Sequence, residues 1–216
     1  MTIARPLPSF LAKRYHGWKA TVFAENKSWY RRLVDEGQRP RVMVVSCCDS
    51  RVNINSIFGA EPGEIFLHRN IANLVPPYAP SGGQHGTSAA LEYAVTTLHV
   101  AHIIIIGHSS CGGVQGCHDM CTGAAPELED PNSFLGRWMD VLRPGFARIE
   151  NIEDKATRIA ALEKQAVVVS LENLIGFPFV KAAVDAEELT LHGLWNDIGA
   201  GTLEYYDSET DAFAAV

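Results

Sequence analysis

Two short runs of branched apolar residues limit most tightly what this chain can fold into. Val42-Met43-Val44-Val45-Ser46, bounded by Arg41 before and polar residues after, is one, and His102-Ile103-Ile104-Ile105-Ile106-Gly107 is the other. Such runs predict buried strands of a parallel sheet, the first ending at Ser46. Each run leads straight into a chemically dense segment: Cys47-Cys48-Asp49-Ser50-Arg51 after the first, His108-Ser109-Ser110-Cys111-Gly112-Gly113 after the second. In open α/β sheets ligands bind outside the carboxyl ends of the strands, so Cys47, His108 and Cys111 are expected together at one functional edge.

The other segments supply what such a sheet needs. From Phe10 to Asp35 apolar residues recur at roughly helical spacing, predicting one or two amphipathic helices that pack on a partner subunit or on their own sheet. Residues 1–36 are thus read as a helical arm of a single domain over 1–216, since no repeat, linker or low-complexity stretch divides the chain. Gly37-Gln38-Arg39-Pro40 breaks the arm ahead of the first strand. A short helical connection over Val52 to Phe58, a strand over Glu64 to His68, a loop over Pro76 to Gly83 and a helix from His85 to His99 lead to the second buried strand. Strand, helix and strand in that rhythm predict a right-handed crossover and parallel pairing. Helices are expected over Phe134 to Val141, Ile149 to Val169 and Leu171 to Val184, the last interrupted near Gly176 and Pro178. Leu189 to Trp195 and Thr202 to Tyr206 alternate around a glycine-containing turn, the pattern of a hairpin. The fold class is α/β: a mostly parallel central sheet with an antiparallel edge hairpin, flanked by helices.

At 216 residues, 47% of them hydrophobic, the chain is long enough to bury a core without disulfides. A net charge of −7 with no block of like charge argues against a nucleic-acid surface and an anionic-membrane surface. Apolar runs fall short of the ~20 residues a membrane span needs, and the amino terminus lacks the apolar core of a secretory signal. Five cysteines, an odd number with two adjacent, do not read as a disulfide framework. A reducing, cytoplasmic setting is expected, where such residues point to metal or catalysis.

Thiolate and imidazole together select zinc, and a catalytic zinc keeps three protein ligands with one open position. Cys47, His108 and Cys111 supply three. His-x-x-Cys in a tight loop lets two side chains converge, while Cys47 arrives from the neighbouring strand. Asp49 stands two residues past the first ligand, and glycines follow the last. A rival closed site would use Cys111, Cys117, His118 and Cys121, but adjacent Cys117 and His118 would point apart on a helix. Cys48, Cys117 and Cys121 read instead as inert, buried thiols. A phosphatase loop is excluded because Cys47 to Arg51 is too short and lacks the glycines of a phosphate cradle.

Cys47-x-Asp49-x-Arg51 with His108-x-x-Cys111-Gly112-Gly113 resembles the signature of the β-class carbonic anhydrases. The likeness extends through Glu61-Pro62-Gly63-Glu64, Arg69-Asn70-Ile71-Ala72-Asn73, Leu91-Glu92-Tyr93-Ala94 and Ser170-Leu171-Glu172-Asn173, nearly the whole chain. It implies a zinc enzyme interconverting carbon dioxide and bicarbonate, built as a homodimer or an assembly of dimers. In such an enzyme zinc makes hydroxide available at neutral pH, though two thiolates acidify less than three imidazoles. Asp49 would accept the hydroxide's hydrogen, and Arg51 would hold Asp49 off the metal. The same Asp and Arg, taken alone, also fit an ordinary salt bridge. By resemblance to plant-type members, Phe66, Ile71 and Tyr93 would form an apolar substrate wall, Gln38 would offer an amide, and the backbone near Gly112 would assist. Taken alone, Phe66, Ile71 and Tyr93 read as plain core.

Three positions depart from relatives. Val44 stands where one subclass carries a tryptophan of a bicarbonate-sensing pocket, so the open subclass, with water as fourth ligand, is expected even though Arg69 resembles another part of that pocket. Thr97 replaces a histidine proposed to shuttle protons, and Cys48 replaces the usual serine. A carbon disulfide or carbonyl sulfide hydrolase would use the same site, and a non-catalytic zinc or thiol sensor would not need Asp49 and Arg51.

Overall fold

The computed structural model describes residues 3–82 and 85–216, so Gly83, the end of the expected loop, and the first two residues of the amino terminus lie outside it. The described chain falls into two compact units, one ending at Arg39 and the other running from Pro40 to Val216. In the first, helix α1 (Ser9–Trp18) continues through a wide π turn, Lys19–Phe23, and helix α2 spans Lys27–Glu36. Trp18, Phe23 and Tyr30 cluster there with ring centroids 5.4 to 6.0 Å apart, yet neither helix has a buried residue.

The second unit is built on six strands: β1 (Val42–Cys47), β2 (Ile65–Asn70), β3 (His102–His108), β4 (Thr190–Asp197), β5 (Thr202–Asp207) and β6 (Ala212–Ala215). Their order across the sheet is β2-β1-β3-β4-β5-β6. The first four pair in parallel and the last two antiparallel, so the parallel sheet with an antiparallel edge is as expected. Successive strand residues point to opposite faces. Met43, Val45, Ile103 and Ile105 meet Leu91, Ala94, Val167, Leu174 and Phe177 on one face, while Val44, Ile106 and Leu194 meet Val52 and Ile54 on the other. Burial on both faces is why these strands read as unbroken apolar runs.

The helices of this unit are α3 (Ile54–Phe58), α4 (Gly86–Glu92, continuing through a π turn, Tyr93–Thr97), α5 (Gly112–Cys121), α6 (Phe134–Met139), α7 (Arg143–Ile149), α8 (Lys155–Ile175) and α9 (Pro178–Asp185). Four expectations need correcting. β1 runs one residue past Ser46, to Cys47. No break falls at Ser170, whose hydroxyl donates to the Ala166 carbonyl at 2.7 Å: α8 runs on to Ile175, and the chain breaks between there and Pro178, where the interruption is expected. Helix α8 starts at Lys155 rather than Ile149 because Asp154 caps it, accepting the Thr157 N–H at 2.8 Å, and the preceding residues form the separate α7. Finally, β6 takes the outermost place, so the hairpin of β4 and β5 is interior to the edge.

Candidate metal centre

The register pairs Ser46 of β1 with Ile106 of β3, which brings the carboxyl ends of these neighbouring strands side by side. Cys47 closes β1 and His108 closes β3; Cys111 is the residue before α5, turned back by Ser110 in the left-handed region at φ 58°. One ligand atom from each of Cys47, His108 and Cys111 lies within 4.8 Å of the other two, and the two sulfurs are 3.8 Å apart with no disulfide. All three side chains are buried, at 4%, 1% and 2% exposure, which removes bulk water as their partner.

The histidine tautomer follows from its neighbour. Nδ1 lies 2.9 Å from the Ser109 carbonyl, which only accepts, so Nδ1 carries the proton. That carbonyl is held in place because the Ser109 N–H donates to Asn196 at 2.9 Å and its hydroxyl donates to Asp197 at 3.2 Å. His108 Nε2 is then a bare lone pair, buried and without a partner. An unsatisfied buried acceptor costs about 1–3 kcal/mol, and a cation between it and the sulfurs removes that cost. Two sulfurs and an imidazole nitrogen are a donor set that fits zinc.

The two sulfurs lie within hydrogen-bonding distance of each other. Hydrogen bonding from Cys111 lowers the Cys47 pKa against the opposing effect of burial. The same bond and burial raise that of Cys111, against the pull of the Val114 and Gly113 N–H groups at the start of α5. Backbone dipoles therefore draw charge from the Cys111 sulfur, tempering the electron donation expected of two thiolates.

Asp49 sits outside this ligand cluster and is bound to Arg51 at both oxygens. Arg51 donates from Nε to Oδ1 at 2.9 Å, from Nη2 to Oδ2 at 2.6 Å and from its backbone N–H to Oδ1 at 3.0 Å. Nη2 also reaches the Ser110 carbonyl at 2.9 Å, tying the two strand-end loops together. These charge-assisted bonds hold the Asp49 carboxyl well below the usual carboxylate range, so it is an acceptor at neutral pH.

The carbonic anhydrase family model matches residues 42–203. Beta carbonic anhydrase 3 of Arabidopsis thaliana is 36% identical over 91% of this chain and 77% of its own length, and Beta carbonic anhydrase 5, chloroplastic, of the same plant is 36% identical over 85% and 59%. The chain belongs to the β-class carbonic anhydrase family. Among solved structures, the β-carbonic anhydrase CcaA superposes with a TM-score of 0.86 at 27% identity, covering 96% of this chain and 91% of that one. A chain from the crystal structures of two tetrameric β-carbonic anhydrases of Sordaria macrospora gives a TM-score of 0.74 at 29% identity, covering 91% of this chain and 95% of that one.

For a member of this family, the remaining candidates fall into place unevenly. Phe66 and Tyr93 have ring centroids 5.9 Å apart. Tyr93 and Ile71 are 44% and 41% exposed, so neither is the plain core residue that its type alone suggests. Gly112 opens α5, beside the metal loop. Gln38 lies in the amino-terminal unit, just after α2. The later thiols form no metal-ligand cluster among the described residues: Cys117 is buried and directed at the Met139 carbonyl, Cys121 is near Arg143, and His118 sits between Asp119 and the Arg158 Nε that donates to it. Burial raises the Cys117 pKa, as for an inert thiol. Cys48, expected to be buried, is exposed, because it stands just past the end of β1.

Several supports act through contacts not expected from the sequence. Arg69 donates to the carbonyls of Cys47 at 2.8 Å and Asp49 at 2.7 Å, clamping the loop that carries both. Glu163 of α8, 3% exposed, accepts the Cys111 N–H at 3.1 Å. The turn Ile71–Asn73 places Ala72 and Asn73 successively at φ 62° and 51°. Left-handed conformations at residues other than glycine cost of order 1–3 kcal/mol each. The Asn70 side chain helps hold this one, accepting from the Leu74 N–H at 2.9 Å and donating to its carbonyl at 2.8 Å.

Proposed function

We propose that this chain catalyses the zinc-dependent, reversible hydration of carbon dioxide to bicarbonate and a proton, with Cys47, His108 and Cys111 holding the metal. One observation carries the reading: a buried sulfur, sulfur and nitrogen cluster with an unpartnered His108 Nε2 lies beside a carboxylate locked to an arginine. Zinc supplies Lewis acidity that brings the pKa of water towards ~7, making hydroxide available at neutral pH. Asp49 stays ionised and accepts a hydrogen from the attacking oxygen, so that its lone pair points at the substrate carbon. Arg51 occupies both Asp49 oxygens and keeps the carboxylate from becoming a fourth ligand. That engagement, with Val44 in place of tryptophan, supports the open subclass.

Phe66, Ile71 and Tyr93 form the dry wall an apolar substrate needs, and the backbone at Gly112 assists. The working form is a homodimer or an assembly of dimers; the tetrameric Sordaria relatives and an amino-terminal arm with no buried residues in its helices support this. A reducing compartment such as the cytoplasm suits five unpaired cysteines. A zinc or thiol sensor has no use for the Asp49–Arg51 lock. The test is stopped-flow hydration of carbon dioxide by the purified chain, with and without a zinc chelator. Rapid hydration that the chelator abolishes and added zinc restores is expected; failure of the zinc-loaded chain to hydrate carbon dioxide above the solution rate would overturn the reading.

A further inference from the structure

The turn that carries Ile71 is held by a side chain remote in sequence that is not itself one of the ligand residues. The Trp138 indole N–H donates to the Ile71 carbonyl at 2.8 Å across 67 residues of sequence. Trp138 is itself firmly placed. Ser133 caps its six-residue helix α6, accepting the Gly136 N–H at 2.9 Å, and Gly136 lies so close to the Leu128 carbonyl that no side chain fits there. Met139, next to Trp138, is fully buried in the cluster that contains Cys47 and Cys111. The indole thus fixes the Ile71 peptide relative to the core around the metal loop.

Two groups depend on where that peptide lies. One is the Ile71 side chain, whose Cγ2 is so near α5 that a Cβ on Gly113 would stand 2.6 Å from it. The other is Ala72, fully buried in the cluster that contains Cys47 and Cys111. Ile71 leads into, and Ala72 lies within, a left-handed stretch of backbone, which returns to commoner conformations unless its surroundings over-determine it. We propose that Trp138 is a positioning residue for carbon dioxide hydration: through the Ile71 carbonyl it sets the substrate wall and the packing of Ala72 in the cluster that holds Cys47 and Cys111. This rests on the function proposed above.

The test compares the zinc-loaded full chain with its Trp138→Phe variant, which keeps an aromatic ring and loses the N–H. The variant should fold with the same circular dichroism and bind one zinc. It should lose about tenfold in kcat/KM and release zinc to a chelator about tenfold faster, the scale seen when outer partners of metal ligands are removed. A purely packing role would lower Tm and leave both readouts in place. Gly113→Ala would press a methyl against Ile71 Cγ2 and Ala72 of the same turn, and the same two changes are expected; this variant carries the test if Trp138→Phe does not fold. Parent-like kcat/KM and zinc release, within about twofold, in the folded variant overturn the proposal. If the parent itself fails to hydrate carbon dioxide, the functional reading falls, while unchanged zinc release in the variants would refute the indole's role separately.

Discussion

Glu163 offers the sharpest test of how the metal loop is held. Its carboxylate comes from the buried face of α8 and accepts the N–H of Cys111, itself 2% exposed. Replacing it by alanine leaves that N–H buried without an acceptor, costing about 1–3 kcal/mol. Losing one further buried methylene adds about 0.8 kcal/mol. Against this stands relief from burying a carboxylate, the burial that pushes the Glu163 pKa above its usual value. The net expectation for Glu163→Ala is a loss of about 1–3 kcal/mol, or roughly 2–12 °C in Tm at about 2–4 °C per kcal/mol for a chain of this size. Glu163→Gln keeps an oxygen for the Cys111 N–H and discards the charge, so it should stay within about 1 kcal/mol of the parent. Urea and thermal unfolding of the zinc-loaded forms would measure both. If Glu163→Ala unfolds within about 0.5 kcal/mol of the parent, the range of an unremarkable surface change, then this hydrogen bond does not hold the loop.

Asp49→Ala should lower carbon dioxide hydration about a hundredfold or more, as expected for loss of a group that handles a proton, while zinc content stays near one per chain; stopped-flow rates within fivefold of the parent would contradict the role assigned to Asp49. Asp119 is held down at about 2, first by the hydrogen bond from Gln115 and then by His118 and Lys155. Because its folded pKa lies below the ordinary 3.8, it contributes stability above that value and loses it as pH falls from about 4 towards 2. Asp119→Asn should therefore flatten this part of the acid limb in unfolding measured between pH 2 and 5, and an unchanged limb would count against the network. Lys164 places its ammonium 4.9 Å from the Trp195 ring centroid and 5.2 Å from that of Phe213, and it pairs with Glu204. Lys164→Met should destabilise the chain by about 0.5–2 kcal/mol in denaturant melts, and no change would mean that the ion pair and the ring contacts contribute nothing.

The sequence spoke most clearly where burial alone sets the pattern. Val42 to Val45 and Ile103 to Ile106 are covered on both faces, so their side-chain types betray both the strands and the parallel pairing. The ligand cluster was legible for a related reason: its residues stand at the ends of those strands, where topology brings distant positions together. β6 was missed because Ala-Phe-Ala-Ala offers a single large side chain and no β-branched residue. Arg69, Trp138 and Glu163 act across 22, 67 and 52 residues, and no local pattern encodes such contacts. Glu163 did leave a trace. It falls among Leu162, Ala166, Val167 and Ser170 on the buried side of α8, and a carboxylate in an apolar stripe signals a buried partner.

The most direct measurement is anomalous diffraction at the zinc absorption edge from crystals of the purified, active chain. A single strong peak is predicted between the Cys47 and Cys111 sulfurs and His108 Nε2, with the Asp49 carboxylate still paired to Arg51. A peak confined to the region of Cys117, His118 and Cys121, or no transition-metal signal from active protein, would contradict the account.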